Sequence, residues 1–281
     1  MRLIRFADSE GRIRTGVKRN GIIQEVSPQE FQIAGDAFES VLSRVTDSQK
    51  DIASIIDSLE DKSVFEIGEI NVLPPVSSNG RLFALGGAYT QHVQERGQPL
   101  NSVPSQWLVP GTAVIGPDDS IIVPDRVRDR TVPAVELGVV IGKDGRYIDE
   151  RDALSHVAGY TIVNDVTARG DWPGPMAYKL MDTFSPCGPQ VVTSDEFGSV
   201  MDRKMTIDHG GERICEGTTA SMRFTIPFVI SYISSIVKLQ PGDIISTGDP
   251  GRVQGELQDG KTVTVSIEGI GSLSNPVRFE G

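Results

Sequence analysis

The sequence is poor in cysteine and has no long apolar run. Its two cysteines, Cys187 and Cys215, lie far apart with no spacing typical of a metal site, so both are expected to be reduced and cysteine-bound zinc is not expected. No stretch approaches the roughly 20 apolar residues of a membrane-spanning helix. The first residues, MRLIRFADSEGRIR, carry frequent charges instead of a signal-peptide core. These absences predict a cytoplasmic protein with no membrane partner.

Basic residues are also scarce relative to acidic ones. The chain has 27 Lys and Arg against 38 Asp and Glu, a net charge of -11. Because such a field repels polyanions, a nucleic acid or an anionic membrane is disfavoured as a partner. A small anionic substrate would need a local positive centre. Internal repeats and low-complexity tracts are missing as well, so nothing suggests a solenoid or a disordered tail.

The 281 residues allow a small domain followed by a large one. The pattern predicts a small N-terminal domain over residues 1–75 and the main domain over 76–281. The N-terminal part contains two strand patterns, the second with a turn at Asn20-Gly21, and an amphipathic helical stretch over 36–59. It carries no pattern typical of a catalytic site.

Residues 131–142, TVPAVELGVVIG, predict one buried strand that carries a single carboxylate. Side chains alternate along a strand, so Ala134 and Glu136 share a face, and Val135 and Leu137 lie on the other. Burying Glu136 is costly unless a cation or hydrogen-bond donors meet it. A metal ion or a basic partner is one interpretation, and a strand-end glutamate in water is the other.

Asp165 follows the apolar run 160–163 at a strand-to-loop position, where functional side chains are commonly presented. An Asx turn would also explain it. Lys179 stands alone in a Gly- and Pro-rich segment. It is either a surface charge or a group that holds a substrate carboxylate or enolate, with Asp182 as a partner that could pin it.

His92 and Glu95 are three residues apart, so on a helix they share a face, and the glutamate would raise the basicity of the imidazole. That is the arrangement of a general base and its orienting group, although a solvated polar face has the same pattern. Residues 247–251, TGDPG, form a tight loop of the kind that offers backbone N–H groups to an anion. A packing helix capped by Thr225 is predicted over 226–238.

Taken in order, several segments resemble the fumarylacetoacetate hydrolase family from about Leu73 to the end of the chain. They are LPPV, YTQHVQE, VELGVVIG, GYTIVNDVTAR, KLMDTFSPCGP, EGTTASMRFTIPFVISYIS and LQPGDIISTGDP. The resemblance implies a mixed, β-rich α/β protein with a β-roll catalytic domain behind a small N-terminal domain. It also implies a homodimer.

The family resemblance implies a Mg²⁺ or Mn²⁺ ion on three carboxylates, a Glu-x-Glu pair on a strand and an Asp after a later strand. Glu136 matches the second glutamate and Asp165 matches the aspartate. Ala134 stands at the first glutamate position, and its methyl group cannot replace an oxygen ligand. Either water fills the vacancy and the metal binds more weakly, or another side chain such as Asp249 substitutes.

The resemblance assigns the remaining roles. His92 and Glu95 match the proton-transferring pair, and Lys179 matches the lysine that holds the ligand. Substrate binding falls to Lys179, Arg169, Thr247 and Asp249. The chain departs from the family pattern at three further positions: Gly170 follows Arg169 where many members have an aspartate, Val109 stands where a lysine is frequent, and Asp249 replaces a threonine.

The implied activity is metal-dependent hydrolysis of a carbon–carbon bond in a small acylpyruvate-type keto acid. Keto–enol isomerisation, decarboxylation of a related acid, and a biosynthetic reaction on an atypical substrate are the enzymatic alternatives. A non-catalytic small-molecule binder with an incomplete metal site is the alternative from a different class.

Overall fold

The structure is a computed structural model that describes residues 1–26, 37–47, 63–76, 80–95, 100–170, 177–251 and 253–281. Its strands are β1 (Arg2–Ala7), β2 (Ile13–Arg19), β3 (Ile22–Glu25), β4 (Val64–Glu66), β5 (Asn71–Leu73), β6 (Leu82–Gly86), β7 (Ser105–Val109), β8 (Val114–Ile115), β9 (Ile121–Val123), β10 (Thr131–Val132), β11 (Val135–Ile141), β12 (Val157–Asn164), β13 (Thr167–Ala168), β14 (Ser185–Thr193), β15 (Lys204–His209), β16 (Glu212–Thr218), β17 (Ile244–Ser246), β18 (Thr262–Ile267) and β19 (Gly271–Phe279). Its α-helices are α1 (Ala37–Asp47), α2 (Thr90–Glu95), α3 (Ser194–Phe197) and α4 (Ile226–Ile236).

Most strands join one long mixed sheet with the order β4-β3-β2-β1-β14-β12-β11-β17-β6-β7. A second sheet has the order β16-β15-β18-β19-β9. The main apolar core lies between them, because one face of β11, including Leu137 and Val139, joins the same cluster as Ile207 and Val265 of the second sheet. The opposite face of β11 contributes Val140 to a second cluster with helix α1. This architecture confirms the expected mixed, β-rich α/β class.

The N-terminal strands extend the main sheet. β1 pairs with β14, placing Arg2 opposite Val192, and Leu3 and Phe38 share a core cluster with Leu82. The sheet therefore crosses the boundary expected at residue 75, and the division into domains at that point stays a prediction.

The local predictions hold with some corrections. The strand expected over 131–142 is interrupted, because Pro133 has no N–H for a ladder, and its first part, β10, pairs with β13 in a separate two-stranded sheet. Helix α4 ends at Ile236, and Thr225 caps it by accepting a hydrogen bond from the Phe228 N–H. The helix expected over 36–59 is described only as α1, and residues 48–59 lie outside the described residues.

A buried carboxylate fixes the start of two central strands. Asp243 is fully buried and accepts hydrogen bonds from Arg81 Nε at 3.0 Å and Nη2 at 2.6 Å. It also accepts the backbone N–H groups of Arg81 at 3.1 Å and Gln240 at 2.8 Å. These contacts align β17 with β6, which run parallel, and β17 leads directly into the loop beside Glu136.

Replacing this carboxylate should therefore be costly. We expect Asp243→Ala to lower the free energy of unfolding by about 2 to 4 kcal/mol, because buried N–H groups lose their acceptor. The matched control is Asp144→Ala, which removes a surface ion pair with Lys238 whose partners are 56% and 55% exposed. That change should cost no more than about 1 kcal/mol. Urea denaturation measures both values, and equal losses would contradict the structural role of Asp243.

Candidate active site

The central feature of the candidate site is a pair of buried carboxylates. Glu136 on β11 is 1% exposed, and Asp165, just after β12, is 2% exposed. The antiparallel register brings them together, because Glu136 lies opposite Val163 and the Asp165 N–H donates to the Ala134 carbonyl at 3.0 Å. The two carboxyl groups are close enough that each changes the pKa of the other. The strand-end interpretation of Glu136 as a residue in water is therefore wrong.

Donors from β17 and the following loop meet the inner carboxylate. Glu136 Oε2 accepts a hydrogen bond from the Ser246 hydroxyl at 2.6 Å and from the Gly248 N–H at 3.0 Å. Burial, and next the charge of Asp165, raise the pKa of Glu136 well above its ordinary value of 4.5. The donors and Lys179 offset only part of this effect.

Lys179 is the cation of the site. Its ammonium hydrogen-bonds the Asp165 carboxylate and donates to Thr167 Oγ1 at 2.9 Å. Its side chain is 14% exposed, and Nζ lies 5.3 Å from the centre of the Trp107 ring. Burial disfavours the charged form, but Asp165 and Glu136 outweigh burial and raise the pKa of Lys179. Asp182 is exposed, so the partner of the lysine is Asp165 and the expectation for Asp182 is wrong.

Burial raises the pKa of Asp165 above its ordinary value of 3.8, and the Lys179 contact limits the rise. The two groups form one unit, in which the carboxylate is buried and the lysine lines the pocket.

A pocket of about 640 Å³ opens over these groups. Charged residues from five different segments contribute to its wall, namely Glu136, Arg169, Lys179, Arg223 and Asp249. Three aromatic residues also line the pocket: Tyr89, Trp107 and Tyr178. The wall therefore carries three cationic and two acidic side chains, and a net positive centre for an anionic ligand stays a prediction.

The other candidate residues take different positions. Arg169 is exposed at the pocket, and Asp249 lines it while accepting the Gly251 N–H at 3.2 Å. Thr247 is buried, with an N–H that donates to the Leu137 carbonyl at 3.0 Å. His92 and Glu95 both belong to helix α2, but their side chains lie outside the described residues.

Ala134 lies where a third metal ligand was expected. Its side chain lines the pocket beside Glu136, and its N–H donates to Asn164 Oδ1 at 3.0 Å. Within the described ranges, no three His, Cys, Asp or Glu side chains come close enough to hold one metal ion. The structure therefore gathers two carboxylates, and the substitution of Asp249 for the missing ligand stays a prediction.

Two pocket residues escaped the sequence patterns. Arg223 precedes helix α4 and Trp107 lies on β7, and no role was predicted for either residue. A lone arginine in the otherwise apolar run from Met222 to Val229 was the available signal for the first. The indole of Trp107 contacts the site only after β6 and β7 pair, which spacing along the chain does not reveal.

Comparisons with known proteins agree with the fold. The family model described as fumarylacetoacetate (FAA) hydrolase C-terminal matches residues 81–278. A Burkholderia ambifaria protein named "Putative hydrolase" is 32% identical over 294 residues, with 99% of each chain covered. A fumarylacetoacetate hydrolase from Exiguobacterium antarcticum is 28% identical with a TM-score of 0.80, and covers 100% of both chains. A 5-carboxymethyl-2-hydroxymuconate delta-isomerase from Mycobacterium smegmatis is 27% identical with a TM-score of 0.77, also over 100% of both chains.

In the described parts of the chain, no helix is long and apolar enough to cross a membrane.

The raised pKa of Glu136 predicts a pH-dependent cost to stability. The folded protein retains a proton on Glu136 that the unfolded chain releases, so this stabilisation is complete below pH 4.5 and is lost as pH rises through the raised pKa. As the pH rises above 4.5, the metal-free protein should therefore lose stability. Glu136→Gln should lose less stability than the parent protein over the same rise in pH. At the highest pH measured, its free energy of unfolding should exceed that of the parent by about 1 kcal/mol or more.

The measurement is urea denaturation of the metal-free protein at several pH values. Glu256→Gln, at an exposed position, is the matched control and should follow the parent protein. A parent protein whose stability rises with pH over this range, with Glu136→Gln following it, would contradict the prediction.

Proposed function

Because the chain belongs to the fumarylacetoacetate (FAA) hydrolase family, we propose that it is a metal-dependent hydrolase that cleaves a carbon–carbon bond in a small acylpyruvate-type keto acid. The observation that carries this proposal is the buried pair Glu136 and Asp165, joined to Lys179 at the wall of the pocket. Two buried carboxylates against one ammonium leave negative charge uncompensated. A site of this kind favours a further cation.

A divalent cation fits the chemistry of this donor set. Magnesium and manganese prefer oxygen ligands, and both ions accept incomplete protein shells that water or substrate completes. Glu136 and Asp165 would hold the ion, and Ala134 provides no third carboxylate. When bound, the ion supplies a Lewis acid that polarises a ketone oxygen and stabilises the charge of an enolate.

Lys179 would hold the reacting end of the keto acid. An ammonium group has three N–H donors, and Asp165 and Thr167 account for two of them. The third donates to a carboxylate or enolate oxygen in the pocket. Because Asp165 keeps the ammonium charged, Lys179 serves as an electrostatic anchor and not as a base.

The pair on helix α2 would move the protons. His92, oriented by Glu95, removes a proton from a water molecule whose oxygen forms a bond with the distal carbonyl carbon. The adjacent carbon–carbon bond then breaks, and its electron pair passes to the pyruvate fragment as an enolate that Lys179 stabilises. Protonation of that enolate carbon yields pyruvate and a second carboxylic acid.

Two charged residues of the pocket wall, Arg169 and Asp249, would influence which substrate binds. Arg169 offers a cation to a second anionic group, whereas Asp249 would repel one by about 1 kcal/mol or more at close range. A distal carboxylate therefore favours the side of Arg169. Thr247 would act on substrate binding indirectly, because its backbone hydrogen bond to Leu137 holds the start of the 247–251 loop.

An isomerase or decarboxylase is the second candidate, because both stabilise the same enolate. The similarity to a delta-isomerase over the whole chain supports this second candidate. We expect the active enzyme to be a homodimer in the cytoplasm.

Metal binding is the first test. In calorimetric titrations with Mn²⁺ and Mg²⁺, we expect the parent protein to bind one ion, Glu136→Gln to bind at least about tenfold more weakly, and Ala134→Glu at least about tenfold more tightly, since affinity follows the number of charged ligands. Glu256→Gln is the matched control and should bind like the parent. No binding by the parent or by Ala134→Glu would contradict a metal site here.

Turnover is the second test. Acylpyruvates with neutral and with carboxylated acyl ends are incubated with the Mn²⁺-loaded protein, and products are identified by NMR. We expect pyruvate plus an acid, with kcat/KM falling about 100-fold or more in Lys179→Met. The control Lys143→Met changes an exposed lysine and should leave turnover unaffected. Isomerised or decarboxylated products would establish the second candidate, and metal binding without turnover would indicate a binding protein.

A further inference from the structure

Arg223 joins the segment before helix α4 to the segment before helix α2. Its backbone N–H donates to the Ala88 carbonyl at 2.8 Å, and the neighbouring Met222 forms a β-bridge with Tyr89. The side chain is half-buried and lines the pocket. These contacts fix the residues that lead into α2.

The guanidinium group joins both ends of the segment that contains α2. Nη1 donates to the Gly87 carbonyl at 3.1 Å, and Nη2 donates to the Asn101 carbonyl at 2.8 Å. Gly87 precedes the helix in the sequence, and Asn101 follows it. One planar group therefore binds carbonyls on both sides of α2.

An aromatic stack supports the guanidinium. Its carbon lies 5.0 Å from the centre of the Phe224 ring, which stacks on Phe228 at 5.3 Å, and Phe228 stacks on Tyr232 at 6.2 Å. Phe228 and Tyr232 belong to helix α4, whose buried face is part of the main core. The guanidinium is thus held from a rigid element and not from another loop.

We propose that Arg223 is a positioning residue that holds helix α2, and with it His92 and Glu95, against the pocket. This inference rests on the proposed function, in which that pair transfers protons. Val93 of the helix is buried and contributes to the pocket wall, so a displacement of α2 alters the site directly. Proton transfer requires hydrogen-bond contact, and misplacement by about 1 Å is enough to reduce the rate about 100-fold.

Arginine suits this task better than other residues. The two carbonyls need two N–H donors that lie in one plane, point in different directions and have a fixed spacing. A guanidinium group provides such donors. A lysine ammonium keeps the charge but has no fork, and methionine keeps only the apolar stem. The variants Arg223→Lys and Arg223→Met therefore separate charge from geometry.

Arg203 offers a matched control. Its guanidinium also bonds two carbonyls, those of Ser199 and Phe197, and lies 4.7 Å from the Phe197 ring centre, but it does not line the pocket. Arg203→Met should destabilise the protein as Arg223→Met does, and leave kcat within about twofold.

We expect Arg223→Met to lower kcat about 100-fold with KM changed less than about threefold, and Arg223→Lys to lower kcat about tenfold. In a His92→Ala background, Arg223→Met should have almost no further effect on kcat, because the two residues act through one step. An undiminished loss in that background, or an equal loss in Arg203→Met, would overturn the proposal.

Two further readouts do not require turnover. Amide hydrogen exchange over residues 87–101 should be at least about tenfold faster in Arg223→Met than in the parent, whereas Mn²⁺ affinity should be unchanged. Unchanged exchange would overturn the proposal even if the enzyme is active. A parent protein that hydrolyses no acylpyruvate, with faster exchange in Arg223→Met, would instead refute the proposed function and leave the bracing role of Arg223 established.

Discussion

The structure depends on keeping two carboxylates and one ammonium together inside a β-sheet protein. Burying a carboxylate costs several kcal/mol unless opposite charge and donors surround it. Glu136 and Asp165 meet this condition only in combination, with Lys179 on one side and the donors of the 246–248 loop on the other. Lys179 and the 246–248 loop are far apart in the sequence, so the site forms only when β11 has paired with β12 and β17.

The order of the strands explains how the chain achieves this. β11 lies between β12 and β17, so a residue on β11 has the end of β12 on one side and the end of β17 on the other. Glu136 is thereby placed between Asp165 and Gly248. The start of β17 is fixed by Asp243 at the opposite end of the strand, and so an ion pair with no role in chemistry sets the position of the donors. Strand β17 therefore carries a stabilising contact at its start and the hydrogen-bond donors to Glu136 at its end.

The sequence allowed the two carboxylates to be predicted, because each follows a local rule: Glu136 interrupts an apolar alternation, and Asp165 ends an apolar run. The fold class and family followed from the order of the motifs. Partner choice was not predictable in the same way. Lys179 has Asp182 close in sequence, but it pairs with Asp165, since the buried carboxylate has the greater need for a countercharge. Arg223 was missed because its contacts are with main-chain carbonyls at positions 87 and 101, which have no sequence signature.

Ala134 changes the charge balance of the site more than its shape. A carboxylate at this position would lie on the face of Glu136 and would add a third negative charge around Lys179. With alanine, the metal-free pair needs less compensation, part of which Lys179 provides. A divalent cation at this site would be neutralised by fewer protein charges, so more of its charge would remain to attract an anionic ligand. Under the proposed function, the alanine would weaken the binding of an ion by the protein alone and would strengthen the joint binding of an ion and an acid.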